Sequence, residues 1–327
     1  MKSLTRAAAR LLLAASACLA VASAYADGSV GITLPAGFPV PIDASLNAPL
    51  LGFGAAGTVT RTPVVFVHGN NDTPFPTERC NPYGRVQAFA QFLADSGYAL
   101  SELWAVGYQG DQCDLALDPT LRSGPAHTTS ANVPDVRAFV LAVLRYTGAR
   151  QVDVVAHSLG SVIVREWLRQ HPEEGRFVRR FVAIDGANHG IINCSPDPLN
   201  YWQAPSLGGF TPASAVCEEL GSPNTPFLKR LNQGQEVPGA GKDTLVIRNA
   251  DTSFVYFSKQ DGVLAPVPAE DSFGLPIDFS QSASLKGARE LDLTGQGIYD
   301  PILSTTHLGI LNSPDTWAAT LRFLSER

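Results

Sequence analysis

The sequence predicts an α/β fold: a mostly parallel sheet with helices on both faces and a loop-rich cap region. Two observations carry this. Short apolar runs rich in β-branched residues alternate with segments of helical periodicity, and the alternation breaks over residues 188–226, where Pro, Gly and aromatics mix without period. Val64-Val65-Phe66-Val67 has no polar face, as expected of a strand buried on both sides. Val86, Phe89, Ala90 and Leu93 follow at helical spacing, and Gly97 ends that helix. Leu103-Trp104-Ala105-Val106 is the next strand. Val136, Phe139, Val140, Val143 and Leu144 mark a second helix, expected to start at Pro134 and close at Gly148. Val152-Asp153-Val154-Val155 is a strand, Val162, Ile163 and Trp167 lie on the helix after it, and Phe181-Val182-Ala183-Ile184 is a strand again. Residues 244–247, 254–257 and 290–293 supply further strand candidates. Ser313-Pro314-Asp315 then caps a last helix carrying Trp317, Leu321 and Leu324.

The chain opens with Lys2, Arg6 and Arg10, then an apolar run from Leu11 to about Ala22, then Ala24-Tyr25-Ala26. This is the pattern of a secretory signal peptide over residues 1–26, cleaved after Ala26, and it predicts an extracellular or periplasmic protein. The run is shorter than the roughly 20 residues that span a bilayer, so stable membrane insertion is not expected. Residues 27–327 are expected to form one domain and a monomer. Residues 27–60, rich in Gly, Pro and Ala, are expected to lie over its surface as an N-terminal arm. Loss of the leader removes Cys18 and leaves Cys80, Cys113, Cys194 and Cys217, which in an oxidising compartment predict two disulfides. Pairing by proximity, which closes the shorter loops, gives Cys80–Cys113 and Cys194–Cys217. A net charge of -6 gives no electrostatic reason to expect nucleic acid or an anionic membrane as partner.

Val154-Val155-Ala156-His157-Ser158-Leu159-Gly160-Ser161 carries the strongest chemical signal. A serine on a sharp strand-to-helix turn projects its hydroxyl above the sheet, and small residues two before and two after let the turn close. Here Ala156 and Gly160 fill those places. The backbone N–H of Leu159 would face a developing oxyanion. Val67-His68-Gly69-Asn70, at the end of an early strand, would bring the N–H of Asn70 across as the second donor. A general base is expected late in the chain, and His307, directly before the final helix, is the one histidine placed there. For the orienting acid, Asp261 follows a strand candidate in a turn, and Asp251 has the same local logic; Asp261 is the choice. The side chain of His68 is read as structural, His127 and His171 as surface residues, and His157 and His189 as loop neighbours of the site. No cluster of Asp and Glu has calcium-ligand spacing, so no metal or organic cofactor is expected.

Ala156-His157-Ser158-Leu159-Gly160, the Val67-His68-Gly69-Asn70 turn, Gly186-Ala187-Asn188-His189-Gly190 and His307-Leu308-Gly309-Ile310 resemble small bacterial lipases with an alanine in the serine box. Residues 63–72, together with Arg145-Tyr146-Thr147-Gly148-Ala149-Arg150-Gln151-Val152-Asp153, also resemble extracellular poly(3-hydroxybutyrate) depolymerases of that lineage. The resemblance covers residues 60–190 and isolated motifs beyond. It implies the α/β-hydrolase fold and hydrolysis of a carboxylic ester, lipid-like or polyester, through an acyl-enzyme, and it carries over Ser158, His307 and Asp261. Residues 191–250 match neither group. Ile191, Ile192, Leu199, Tyr201, Trp202, Leu207 and Phe210 are expected to wall a partly apolar pocket there. Acyl transfer and a catalytically inactive binding module remain alternatives on the same fold.

Overall fold

The apolar runs pair into one seven-stranded sheet in the computed structural model, which describes residues 28–43, 46–70, 72–78, 80, 84–110, 127–194, 214–238, 243–249, 269–277, 281–298, 300 and 306–326. Its strands are β1 (Leu51–Phe53), β2 (Val64–Val67), β3 (Leu103–Gly107), β4 (Val152–His157), β5 (Val178–Ile184), β6 (Asp243–Arg248) and β7 (Arg289–Asp292). They lie in the order β7-β6-β5-β4-β2-β3-β1. Every neighbouring pair is parallel except β1 with β3. The helices are α1 (Arg85–Asp95), α2 (Thr129–Thr147), α3 (Leu159–Gln170), α4 (Ala215–Leu220), α5 (Pro226–Leu231), α6 (Thr306–Gly309) and α7 (Pro314–Ser325).

Successive strand residues feed two cores, as the two-residue period of a strand requires. Val65, Val67, Trp104, Val154, Ala156, Phe181 and Ala183 pack with α2, α3 and α5 on one face. Val64, Phe66, Leu103, Val155, Val182 and Ile184 pack with α1 and α7 on the other. Both faces are covered, which is why these strands read as continuous apolar runs. Burial of each valine, leucine, isoleucine or phenylalanine among them contributes about 1.5–3 kcal/mol.

The structure departs from expectation in three places. Residues 27–60 do more than lie over the surface: β1 adds to the sheet edge antiparallel to β3, and Phe38 stacks on Trp104 at 5.2 Å. A three-residue strand has too little length to show a period. Helix α2 begins at Thr129, not at Pro134, which lies inside it. The Thr128 hydroxyl accepts from the Ala131 N–H, and the Glu219 carboxylate of α4 accepts from the N–H groups of Thr129 (2.6 Å) and Ser130 (3.3 Å). Ile191 and Ile192, expected in a pocket wall, are buried. Ile191 packs in the core shared with α2, α3 and α5.

Cys194 and Cys217 form the expected disulfide, and Cys80 is disulfide-bonded as well. The signal peptide, Cys113, the strand expected at 254–257, and Leu199, Tyr201, Trp202, Leu207 and Phe210 lie outside the described residues. Among the described residues no helix is long and apolar enough to cross a membrane.

Candidate active site

The chain passes from β2 outward to β3 and returns to β4 on the other side of β2. In open α/β sheets, the crevice at such a switch point, beyond the carboxyl ends of the strands, is where ligands bind. Ser158 stands there, the first residue after β4, with φ 53° and ψ −125°. A non-glycine residue in this region stores strain of about 1–3 kcal/mol, and here the turn lifts the side chain off the sheet. Gly160 is required by close approach: a Cβ on it would sit 2.4 Å from the His68 carbonyl oxygen and 2.7 Å from that of Val67. Gly69 is required from the other side, since its Cβ would lie 2.9 Å from the Cβ of Ser158. The turn after β2 therefore runs directly against the serine.

Strand register sets the next contact. His157 of β4 is level with Ile184 of β5, and Ile184 with Ile247 of β6. The Ser158 N–H donates to the Ile184 carbonyl at 2.9 Å, and the Asp185 N–H to the Ile247 carbonyl at 2.8 Å. Ser158 and Asp185 thus leave adjacent strands at one height, and both have positive φ, 53° and 49°. His307, in α6, lies across them. Its Nε2 is 2.9 Å from Ser158 Oγ, and its Nδ1 is 2.6 Å from Asp185 Oδ2. Asp185 is fully buried, and its other oxygen accepts from the Asn249 N–H at 3.2 Å. With Nδ1–H donated to the carboxylate, Nε2 carries the free lone pair toward the serine hydroxyl.

Leu159 opens α3, so its N–H is one of those a helix leaves without an internal acceptor. Asn70 is held through its side chain: Oδ1 accepts from His127 Nδ1 at 2.7 Å and from Gln109 Nε2 at 3.4 Å. His68 is buried, stacks on Tyr108 at 4.1 Å, and its carbonyl accepts from the Tyr108 hydroxyl at 2.6 Å. His157 donates from Nε2 to the His307 carbonyl at 2.8 Å, with the two rings 4.5 Å apart. Burial, reinforced by the neighbouring His307, pushes the His157 imidazole well below the usual histidine range, so it stays neutral.

The structure brings Ser158 and His307 together and sets the Asn70 turn and Leu159 beside them. Asp261 and Asp251 lie outside the described residues. The bond to His307 Nδ1 expected of Asp261 is made instead by Asp185, which the sequence reading had passed over. One signal for it existed: a lone carboxylate ends the apolar strand next after the serine, directly before Gly186. His127, read as a surface residue, is fully buried beneath the Asn70 turn. Among the described residues His171, Glu173 and Glu174 are close enough to share a cation, but Arg137 and the Trp167 indole already hold the Glu174 carboxylate.

The profile of the family described as Lipase (class 2) matches residues 61–262. The chain belongs to that family. The matched span of the chain includes Ser158 and Asp185, and His307 lies beyond that span. Its structure is similar to a Bacillus licheniformis lipase, BlEst2 in mature form, with a TM-score of 0.53, 15% identity, and coverage of 84% of this chain and 98% of that one. It is also similar to Aspergillus fumigatus lipase B, with a TM-score of 0.50 and 19% identity over 84% of this chain. The match spans only 56% of the fungal chain. At these identities the likeness speaks for the α/β-hydrolase fold, which the sheet order and the parallel pairing also display.

Proposed function

We propose that this class 2 lipase hydrolyses carboxylic esters through an acyl-enzyme on Ser158. The observation that carries the reading is the continuous chain from Ser158 Oγ to His307 Nε2 (2.9 Å) and from His307 Nδ1 to Asp185 Oδ2 (2.6 Å). As Ser158 Oγ attacks the ester carbonyl, its proton moves to His307 Nε2. Asp185 keeps the imidazole in the needed tautomer and stabilises the imidazolium that forms. The carbonyl oxygen gains the negative charge and is received by the N–H groups of Asn70 and Leu159. His307 returns the proton to the departing alcohol. Water then gives a proton to His307 while its oxygen attacks the acyl carbonyl, and the acid leaves as Ser158 recovers its proton.

The Cys194–Cys217 disulfide supports a protein that works in an oxidising compartment after export, with residues 1–26 removed. The apolar residues between 199 and 210 in the sequence favour a substrate with a short to medium acyl chain or an aliphatic polyester strand.

A fluorophosphonate probe is expected to label the wild type and not Ser158→Ala. The same variant is expected to lose p-nitrophenyl ester turnover by three or more orders of magnitude, roughly the cost of removing a triad member. Equal labelling of both proteins would defeat the assignment. Esters from acetate to palmitate, with a poly(3-hydroxybutyrate) suspension beside them, sort the substrate class. Strong preference for acetate without polymer clearing would exclude the polyester reading.

A further inference from the structure

We propose that His157 is a positioning residue, which sets the His307 ring over Ser158 by holding the His307 carbonyl from beneath. The proposal rests on the reading of Ser158 and His307 as nucleophile and base.

The alternation along β4 explains the reach. Val152, Val154 and Ala156 point to the α2 and α3 side, while Val155 points to the α1 and α7 side. His157, two residues after Val155, projects to that second side, where the chain runs through α6 into α7. Its Nε2–H meets the His307 carbonyl at 2.8 Å, and the two ring centroids lie 4.5 Å apart with the rings tilted by 36°. The ring is 2% exposed. Nδ1 makes no hydrogen bond among the described residues and lies 3.0 Å from the place where a Cβ on Gly69 would stand. The ring therefore fills the space between the turn that carries Asn70 and the segment that carries His307, and the His307 carbonyl is its one hydrogen-bonding partner there.

A leucine would fill similar space without leaving a ring nitrogen unsatisfied, so packing alone does not account for an imidazole here. The donated bond does. Ser158 follows His157 directly, so nucleophile and base are both fixed to one dipeptide at the end of a central strand. Position at this level matters, because a misplacement of about 1 Å can cost about a hundredfold in rate. The ring also stays neutral, so it sets no like charge against the imidazolium that His307 becomes during turnover.

The test compares His157→Leu, His157→Asn and His157→Gln by kcat and KM on p-nitrophenyl butyrate, with thermal unfolding measured alongside. The glutamine amide nitrogen reaches about as far as imidazole Nε2, the asparagine amide falls short, and leucine cannot donate. Leu and Asn are expected to lower kcat by about 10- to 100-fold, with KM within about twofold, and Gln is expected to recover most of the loss. Fluorophosphonate labelling rates should fall in the same order. Unchanged kcat in Leu and Asn would overturn the proposal, and so would a loss in Gln as large as theirs. If the leucine variant does not fold, the Asn against Gln comparison decides alone. Ser158→Ala runs in parallel: full turnover there would sink the nucleophile assignment, a separate failure from equal rates among the His157 variants.

Discussion

Asp185 is a single side chain on which the proposed chemistry depends, through its 2.6 Å contact with His307 Nδ1. The proximity of Ser158 and His307 was legible because each sits in a segment whose own pattern points to its proposed role. The serine needs small neighbours on a strand-to-helix turn, and the histidine needs a loop just before the last helix. Asp185 gains its role from something neither segment contains, the register that sets the ends of β4 and β5 side by side. Asp185→Asn is expected to lower kcat/KM by about 10⁴-fold, because an amide at Nδ1 favours the wrong imidazole tautomer. Asp251→Asn and Asp261→Asn are expected to stay within a few-fold of wild type. Steady-state kinetics on one ester compares all three, and a severe Asp261→Asn would leave Asp185 a merely structural partner of His307.

Helix α2 shows how an element's boundary depends on a partner distant in sequence. Pro at the first helical position is a sound local rule, yet the helix starts five residues before Pro134. What stabilises the extra residues is the Thr128 cap together with Glu219, whose carboxylate accepts from two backbone N–H groups and from the Ser130 hydroxyl. A carboxylate at a helix N-terminus also meets the positive end of the helix dipole. Nothing in residues 129–134 reveals a capping group 90 positions away. Glu219→Ala is expected to cost about 1–3 kcal/mol of stability, measured as a lower urea midpoint with unchanged slope. His127 lies two residues before the helix and holds the Asn70 side chain, so turnover should fall in the same variant at temperatures where it remains folded. An unchanged urea midpoint would mean that solvent replaces the clamp without loss.

Across the whole molecule, the fold was legible to the extent that strands and helices are buried on apolar faces, and less so where polar groups are buried between elements. Two carboxylates of the latter kind produce an effect on the scale of the entire protein. Asp135 of α2 and Asp43 of the N-terminal segment are both buried. Burial, with the charge of Asp43 added, pushes the Asp135 carboxyl up to about 7. Between about pH 4, the ordinary aspartate value, and about 7, the folded protein keeps a proton that the unfolded chain has released. Stability from this group therefore falls as pH rises through that window and is lost above it. Glu102 acts with the opposite sign. Its burial is outweighed by hydrogen bonds from Arg61, Ala99 and Thr60, which hold it below the usual glutamate range, so its contribution is lost as pH falls. The two act in different windows, Glu102 below its ordinary value of 4.5 and Asp135 above about 4, and a difference between proteins isolates Asp135. Asp135→Asn has no proton to lose, so its urea midpoint relative to wild type should climb from pH 5 to pH 8 and then level off. A difference between the two proteins that stays constant over that range would show that Asp135 ionises in the folded state as freely as in the unfolded chain.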